Sequence, residues 1–338
     1  MVDKMNDSTK IKRLLWIDFL KFFAIFLVLW GHCIQHFTYS FRDNPIYLWI
    51  YSFHMPLFMM LSGWFASHLL KKSLFDVVKL KFRQLLLPSI IWGTILFLVA
   101  KYLMTSHSYL HIIYYSYWFL KSLFSCMILF VVGLKYFKNK KVGLIFVLFI
   151  SQLCNSIPYL EFLQLRYMFP CFVMGYLFSQ NYIWLQRNIK IITLVSFICF
   201  VSLFCFFNKD LLWPISYIHN IGDIVTVYYK LIIGMFGSVM CIGFAHLLPS
   251  NKLLQYMANI GKHTLAIYIL QAIILELMLK HFVNNYINFH EINVGLSSLI
   301  YFPLISVAVL ILILVIISFL DKINASWLFD LNKIFQKK

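Results

Sequence analysis

The sequence predicts an all-α, polytopic membrane protein of about ten transmembrane helices with both termini in the cytoplasm. Three observations predict it. The 338 residues are 62% apolar and only 12% charged, with a mean hydropathy of +0.82, whereas soluble domains run about half apolar and a quarter charged. Apolar stretches long enough to cross ~30 Å of hydrocarbon at ~1.5 Å per residue recur at about ten places. The basic residues divide unevenly between the two sides that those stretches define.

In chain order the stretches are 14–38, 47–69, 85–104, 117–134, 142–158, 165–182, 190–207, 228–248, 263–283 and 297–320. The first is too long for the apolar core of a cleaved signal, lacks a small-residue cleavage site, and contains Asp18 and Lys21, so it is expected to remain as helix 1. Turn signals separate the others: Arg42-Asp43-Asn44-Pro45, the lysine-rich 138–141, Trp213-Pro214, and Leu248-Pro249-Ser250-Asn251. Threading the ten as alternating spans puts 21 Lys and Arg on the side of both termini and 7 on the other, with Lys21 set apart. A missed or invented span would scramble that division. The excess of 29 basic over 12 acidic residues therefore reads as cytoplasmic loop charge and not as nucleic-acid binding.

The longest polar connections, 208–227 and 284–296, are far shorter than the ~50 residues of a domain. The expected organisation is a cytoplasmic tail over 1–13, one transmembrane domain over 14–320, and a second cytoplasmic tail over 321–338. Tyr47, Trp49, Tyr51, Tyr115, Tyr117 and Trp118 near span ends fit interfacial anchoring in the lipid bilayer. The seven cysteines fall in or beside apolar stretches without CxxC spacing, so neither a disulfide framework nor a metal site is indicated. There is no Gly-x-Ser-x-Gly, P-loop or dinucleotide fingerprint. His219 and Asp223 have the HxxxD spacing of some soluble acyltransferases but lie in an expected outer loop.

Ionisable groups inside a bilayer cost at least ~2.5 kcal/mol each on insertion scales, which makes them functional candidates unless they can snorkel to an interface. Helix 1 is richest in them. At ~100° and ~1.5 Å per residue, Lys21 and His32 differ by ~20° around the axis and ~16 Å along it, and Asp18 pairs with Lys21 at i,i+3. Counting depth along the spans puts His54 near the level of His32, Gln271 near mid-membrane, and Glu276, Lys121 and Arg166 in the outer half. His36, Lys121, Arg166 and Lys280 lie close enough to span ends to snorkel, and His54 can also cap a kink at Pro56. The arrangement predicts an outward chamber with a basic rim at the inner face.

Ile17-Asp18-Phe19-Leu20-Lys21 followed by His32 resembles helix 1 of the integral-membrane acyltransferase 3 family. Further pieces follow in family order. They are Phe53-His54-Met55-Pro56-Leu57-Phe58 with Leu61-Ser62-Gly63-Trp64-Phe65, a basic stretch ending Arg83-Gln84-Leu85-Leu86-Leu87-Pro88, then Tyr117-Trp118-Phe119-Leu120, Phe169-Pro170-Cys171-Phe172, and Gly261-Lys262-His263-Thr264-Leu265-Ala266-Ile267-Tyr268-Ile269-Leu270-Gln271. The resemblance covers nearly the whole chain. Lys21 stands where arginine is common in the family, and Gln271 where many members have histidine.

The resemblance implies O-acylation, most often O-acetylation, of a cell-surface or lipid-linked glycan in a bacterial cytoplasmic membrane, with cytosolic acetyl-CoA as donor and no permanently bound cofactor. It implies His32 as general base or transient acyl carrier, with Glu276 as the second catalytic candidate. Lys21, Asp18, Lys81 and Arg83 are the donor-binding candidates. His54, Trp118, Lys121, Arg166 and Gln271 are the acceptor-binding candidates. Neutral imidazole is the usual base for a hydroxyl at pH 7, and a pantetheine arm is on the order of the ~16 Å between Lys21 and His32. The competing expectation is a polysaccharide exporter or flippase, which also needs many helices and buried charge.

Overall fold

The structure, a computed structural model, describes residues 14–38, 40–103, 108–154, 156–157, 160–212, 218–279 and 294–333; the side chains of 276–279 and 294 are outside the description. Among the described residues the chain is helical throughout, without a strand. Helix α1 spans Leu15–Phe37 and α2 spans Pro45–Trp64. They are followed by α3 (Leu74–Tyr102), α4 (Tyr109–Tyr115), α5 (Trp118–Lys135), α6 (Lys140–Cys154) and α7 (Leu165–Gln180). The series closes with α8 (Tyr182–Phe204), α9 (Ile221–Leu247), α10 (Lys252–Leu275) and α11 (Ser297–Lys322).

Seven of these, α1, α3, α5, α8, α9, α10 and α11, are long and apolar enough to cross a membrane. The other three stretches expected to span form α2, α6 and α7, of 20, 15 and 16 residues. Helices α6, α8 and α11 turn Ile145, Phe149, Leu194, Ile198, Ile311 and Val315 outward, all about half exposed or more. Large apolar side chains covering the outside of a helical bundle are what a lipid solvent requires, because lipid offers no penalty for exposing them. The protein is a multi-pass membrane protein.

Local sequence explains where the helices start. Asn44 caps α2, its Oδ1 accepting from the N–H groups of Ile46 (3.0 Å) and Tyr47 (3.1 Å), with Pro45 in the first turn where its missing N–H costs nothing. Its Nδ2 donates to Ser298 Oγ at 2.6 Å and so ties the start of α2 to α11. The third span begins at Leu74, eleven residues before the expected boundary. Ser73 caps it by accepting from Asp76 N, and a π turn over Phe82–Leu86 carries the helix past Pro88, whose ring would clash with a regular preceding turn. Lys79, Lys81 and Arg83 thus belong to this helix. Helix α9 begins at Ile221 rather than 228, on a capping box in which Asn220 accepts from Asp223 N and Asp223 accepts from Asn220 N. Asp223 also accepts from the backbone N–H of His219 at 2.7 Å. The HxxxD spacing is a helix cap.

Helix α2 is the centre of the bundle, packed against α7, α9 and α1, while α1 packs in turn on α10 and α11. The approach of α2 to α7 is close because glycine stands on both sides. A Cβ at Gly63 would lie 1.8 Å from Phe172 O, and one at Gly175 would lie 1.9 Å from Met60 O. Gly261 does the same for α10, where a Cβ would lie 1.9 Å from Asp18 O of α1. The last contact brings α10, with its polar residues, against α1, on which α2 also packs.

The expected N-terminal tail, 1–13, lies outside the described residues. Part of the expected C-terminal tail is folded. Trp92 Nε1 donates to Leu328 O (3.0 Å), Asn332 Nδ2 to Leu80 O (3.1 Å), and Leu331 N to Arg83 O (3.3 Å). The rings of Trp92 and Phe329 stack at 5.4 Å and 5°. The chain after α11 is therefore clamped to the basic end of α3.

Candidate active site

Two cavities lie along α1. The basal one, about 330 Å³, sits at the end of the bundle where α1 begins, and Lys21, Lys81 and Lys262 line it. The distal one, about 310 Å³, sits toward the other end of α1, and His32, His54, Trp118, Gln271 and Lys230 line it. Met55 and Tyr268 line both. Each volume is at the small end of the range for ligand sites.

In the basal cavity Lys21 Nζ is 3.2 Å from Asp18 Oδ1 and 5.1 Å above the Phe65 ring. Asp18 is itself buried and does not line the cavity, so its place is behind Lys21, fixing the ammonium. Lys81, also buried, donates to Gln84 Oε1 at 2.7 Å. Lys262 donates to Asn259 one turn earlier and reaches the cavity because Gly261 lets its backbone sit on α1. Arg83, on the same turn of α3, is not among the lining residues. Three lysine amines with no carboxylate among the described lining residues make a site for an anion.

In the distal cavity His54 is buried, and its Nδ1 lies 2.8 Å from Ile50 O. A carbonyl only accepts, so Nδ1 carries the hydrogen, and in neutral imidazole that leaves the Nε2 lone pair as acceptor. His32 lies parallel to His36, with ring centroids 5.8 Å apart and planes 12° from each other. Two helix starts frame the cavity in strained backbone: Tyr117, before α5, has φ 53°, and Gln164, before α7, has φ 49°. Left-handed conformations cost non-glycine residues roughly 1–2 kcal/mol, and such residues concentrate at sites. Tyr117 is held by its hydroxyl, which donates to Ile269 O at 3.1 Å, and Trp118 beside it faces the cavity.

Two of the expected acceptor-binding residues stand elsewhere. Lys121 donates to Ile113 O (2.7 Å), Tyr114 O (2.9 Å) and Ser116 O (2.6 Å), so its three N–H groups close the end of α4. Arg166 is buried, with Nε and Nη2 on Gln152 O and Nη2 on Ser156 Oγ at 2.8 Å, joining α7 to the end of α6. Neither lines the distal cavity. The side chain of Glu276 lies outside the described residues. Two cavity lysines were not among the candidates: Lys262, counted among the 21 basic residues on the side of the termini, and Lys230, counted among the seven on the other side. The signal for both was present, since each falls within or against an apolar stretch.

Residues 14–318 match the acyltransferase domain family. Among curated proteins, the chain is 31% identical over 185 residues to nodulation protein NolL of Mesorhizobium japonicum, covering 51% of this chain and 49% of that one. It is 30% identical over 186 residues to nodulation protein NolL of Sinorhizobium fredii, covering 48% of each. The chain thus spans about half the length of the curated relatives it matches. No solved structure matches it.

Proposed function

This chain belongs to the acyltransferase 3 family of acyltransferase domains, and from that premise we propose that it is an O-acetyltransferase of a bacterial cytoplasmic membrane, carrying an acetyl group from cytosolic acetyl-CoA to a glycan hydroxyl on the far side. The observation that carries the reading is the pair of cavities on α1 that meet at Met55 and Tyr268.

The basal cavity suits the donor. Lys21, Lys81 and Lys262 would hold its phosphates, with Asp18 keeping the Lys21 side chain extended toward them. The uncharged arm would then run past Met55 and Tyr268, and the eleven residues from Lys21 to His32 correspond to ~16 Å of travel. Met55 suits such a wall, because a thioether chain of three rotatable bonds can yield to a slender ligand.

At the distal end the acceptor hydroxyl gives its proton to the His32 imidazole as its oxygen bonds to the acyl carbon. The carbon–sulfur bond then breaks, and the departing thiolate takes the proton from imidazolium. The products are the sugar ester and free CoA thiol, and His32 returns to its neutral state. His54, its tautomer set by Ile50 O, offers Nε2 as an acceptor to a second hydroxyl of the sugar. Trp118 and Gln271 would complete the acceptor subsite.

The test is transfer of labelled acetyl from acetyl-CoA to surface glycan by membranes containing the protein or His32→Ala at equal abundance. The variant should make no acetylated glycan. Transfer that persists in it removes His32 from the mechanism, and glycan that is lost from the surface altogether, instead of arriving without acetyl groups, indicates an exporter.

A further inference from the structure

The distal cavity contains a lysine that acyl transfer does not require. Lys230, nine residues into α9, lines it together with His32 and His54. Its ammonium donates to Leu212 O at 2.6 Å and lies 5.1 Å from the centre of the Tyr167 ring. An ammonium has three N–H donors, and among the described residues one of them goes to Leu212 O. Among the described residues, no Asp or Glu lines the cavity. The position is also held: the carbonyl and the ring fix the amine at the cavity wall, and Leu212 lines the cavity with it.

A buried amine that meets no carboxylate among the described lining residues carries a positive charge only at a cost. A ligand that brings its own negative charge removes the cost. We propose that the acceptor is an anionic sugar, one bearing a carboxylate or a phosphate, and that Lys230 binds that group while the aromatic walls take the ring. Tyr51, Trp118 and Tyr167 supply such walls, flat amphipathic faces that pack on the C–H surface of a sugar and leave its hydroxyls free. The charge pair fixes which end of the sugar enters and hence which hydroxyl meets His32. This deepens the acyltransferase reading and rests on it, since that reading makes the distal cavity the acceptor side.

The experiment is isothermal titration of the purified full chain in nanodiscs, without any acyl donor, using three probes: methyl glucoside, methyl glucuronoside and glucose 1-phosphate. One or both anionic probes should bind at least about tenfold more tightly than the neutral one, as expected of a charge-assisted contact, and added salt should narrow the gap. Lys230→Gln, which can still donate to Leu212 O, should abolish the preference while keeping the affinity for the neutral glycoside. Lys230→Arg should retain it. A stronger response to the carboxylate points to a uronate-type acceptor, and one to the phosphate points to a phosphate-linked sugar. Equal binding of all three probes, binding of none, or a preference that survives Lys230→Gln overturns the proposal. Thiol release from acetyl-CoA, measured separately, keeps the two readings apart. Charge preference without thiol release defeats the acyltransferase assignment alone, and thiol release without charge preference defeats this one alone.

Discussion

Gly175→Ala should destabilise the protein, although alanine is the better helix former. The substitution gains roughly 0.5–1 kcal/mol of backbone entropy in an unstrained helix. Against this, the new Cβ would lie 1.9 Å from Met60 O, and reaching the 3.4 Å of ordinary contact requires the backbones of α2 and α7 to part by about 1.5 Å. A carbonyl oxygen cannot move aside as a side chain can. A gap of that size forfeits at least half of each contact across the seam, worth ~0.1–0.2 kcal/mol apiece at optimum. Buried residues such as Met59, Met60, Phe169 and Phe172 make the seam, so some tens of contacts are affected and the loss is about 3 kcal/mol. The net effect is destabilisation by about 2 kcal/mol, a drop in unfolding midpoint on the order of 4 °C for a chain of this size. Thermal unfolding in detergent, followed by intrinsic fluorescence, measures it. A midpoint that stays or rises would mean that helix propensity decides the sign and that the close approach of α2 to α7 is wrong. Activity should fall with stability, because α2 carries both His54 and Met55.

Other consequences are more local. Lys21→Gln removes one of three basal cations and should raise the apparent KM for acetyl-CoA about tenfold with kcat little changed, as for a lost charge-assisted contact; an unaltered KM takes Lys21 out of the donor site. Met55→Trp should obstruct the wall between the cavities, cutting transfer at least about hundredfold through misplacement of the thioester, while CoA binding persists; full transfer would show that the arm does not pass there. Phe329→Ala should cost about 3 kcal/mol as a buried aromatic truncation, whereas a free tail would shift stability by less than about 0.5 kcal/mol.

Much of this arrangement was legible in the sequence, for a definite reason. A helix converts residue number into depth, so counting along α1 and α2 was enough to bring His54 to the level of His32 and to separate both from Lys21, whereas Gln271, counted near mid-membrane, joins them in the same cavity. What depth does not give is azimuth. Lys121 and Arg166 have the depth of the distal cavity but turn to the backbone carbonyls of α4 and α6, which are neighbours only in the fold. Lys230 was hidden by the opposite error, since a lysine near a span end ordinarily reaches for the interface, and here Leu212 O and Tyr167 hold it inside. The early start of α3 was concealed by its charge, because Lys79, Lys81 and Arg83 read as loop until the C-terminal segment bonded to Leu80 and Arg83 is seen. Asn44-Pro45 and Asn251 were visible as turn signals, but their capping of α2 and α10, and the bond from Asn44 to Ser298 of α11, were not.

The wall formed by Met55 and Tyr268 has an electrical consequence as well. Two cavities reaching toward each other would shorten the insulating path, so in a membrane the transmembrane potential would fall mostly across the narrow region between them. Moving one elementary charge through 100 mV involves about 2.3 kcal/mol, and an interior-negative potential drives anions outward. In the proposed reaction a nucleotide at the basal side would feel that force and be held by the three lysines, while the neutral acylated arm would cross the same drop without electrical work. Only the uncharged part of the donor would then traverse the field, so acyl transfer could reach the far side without moving ions.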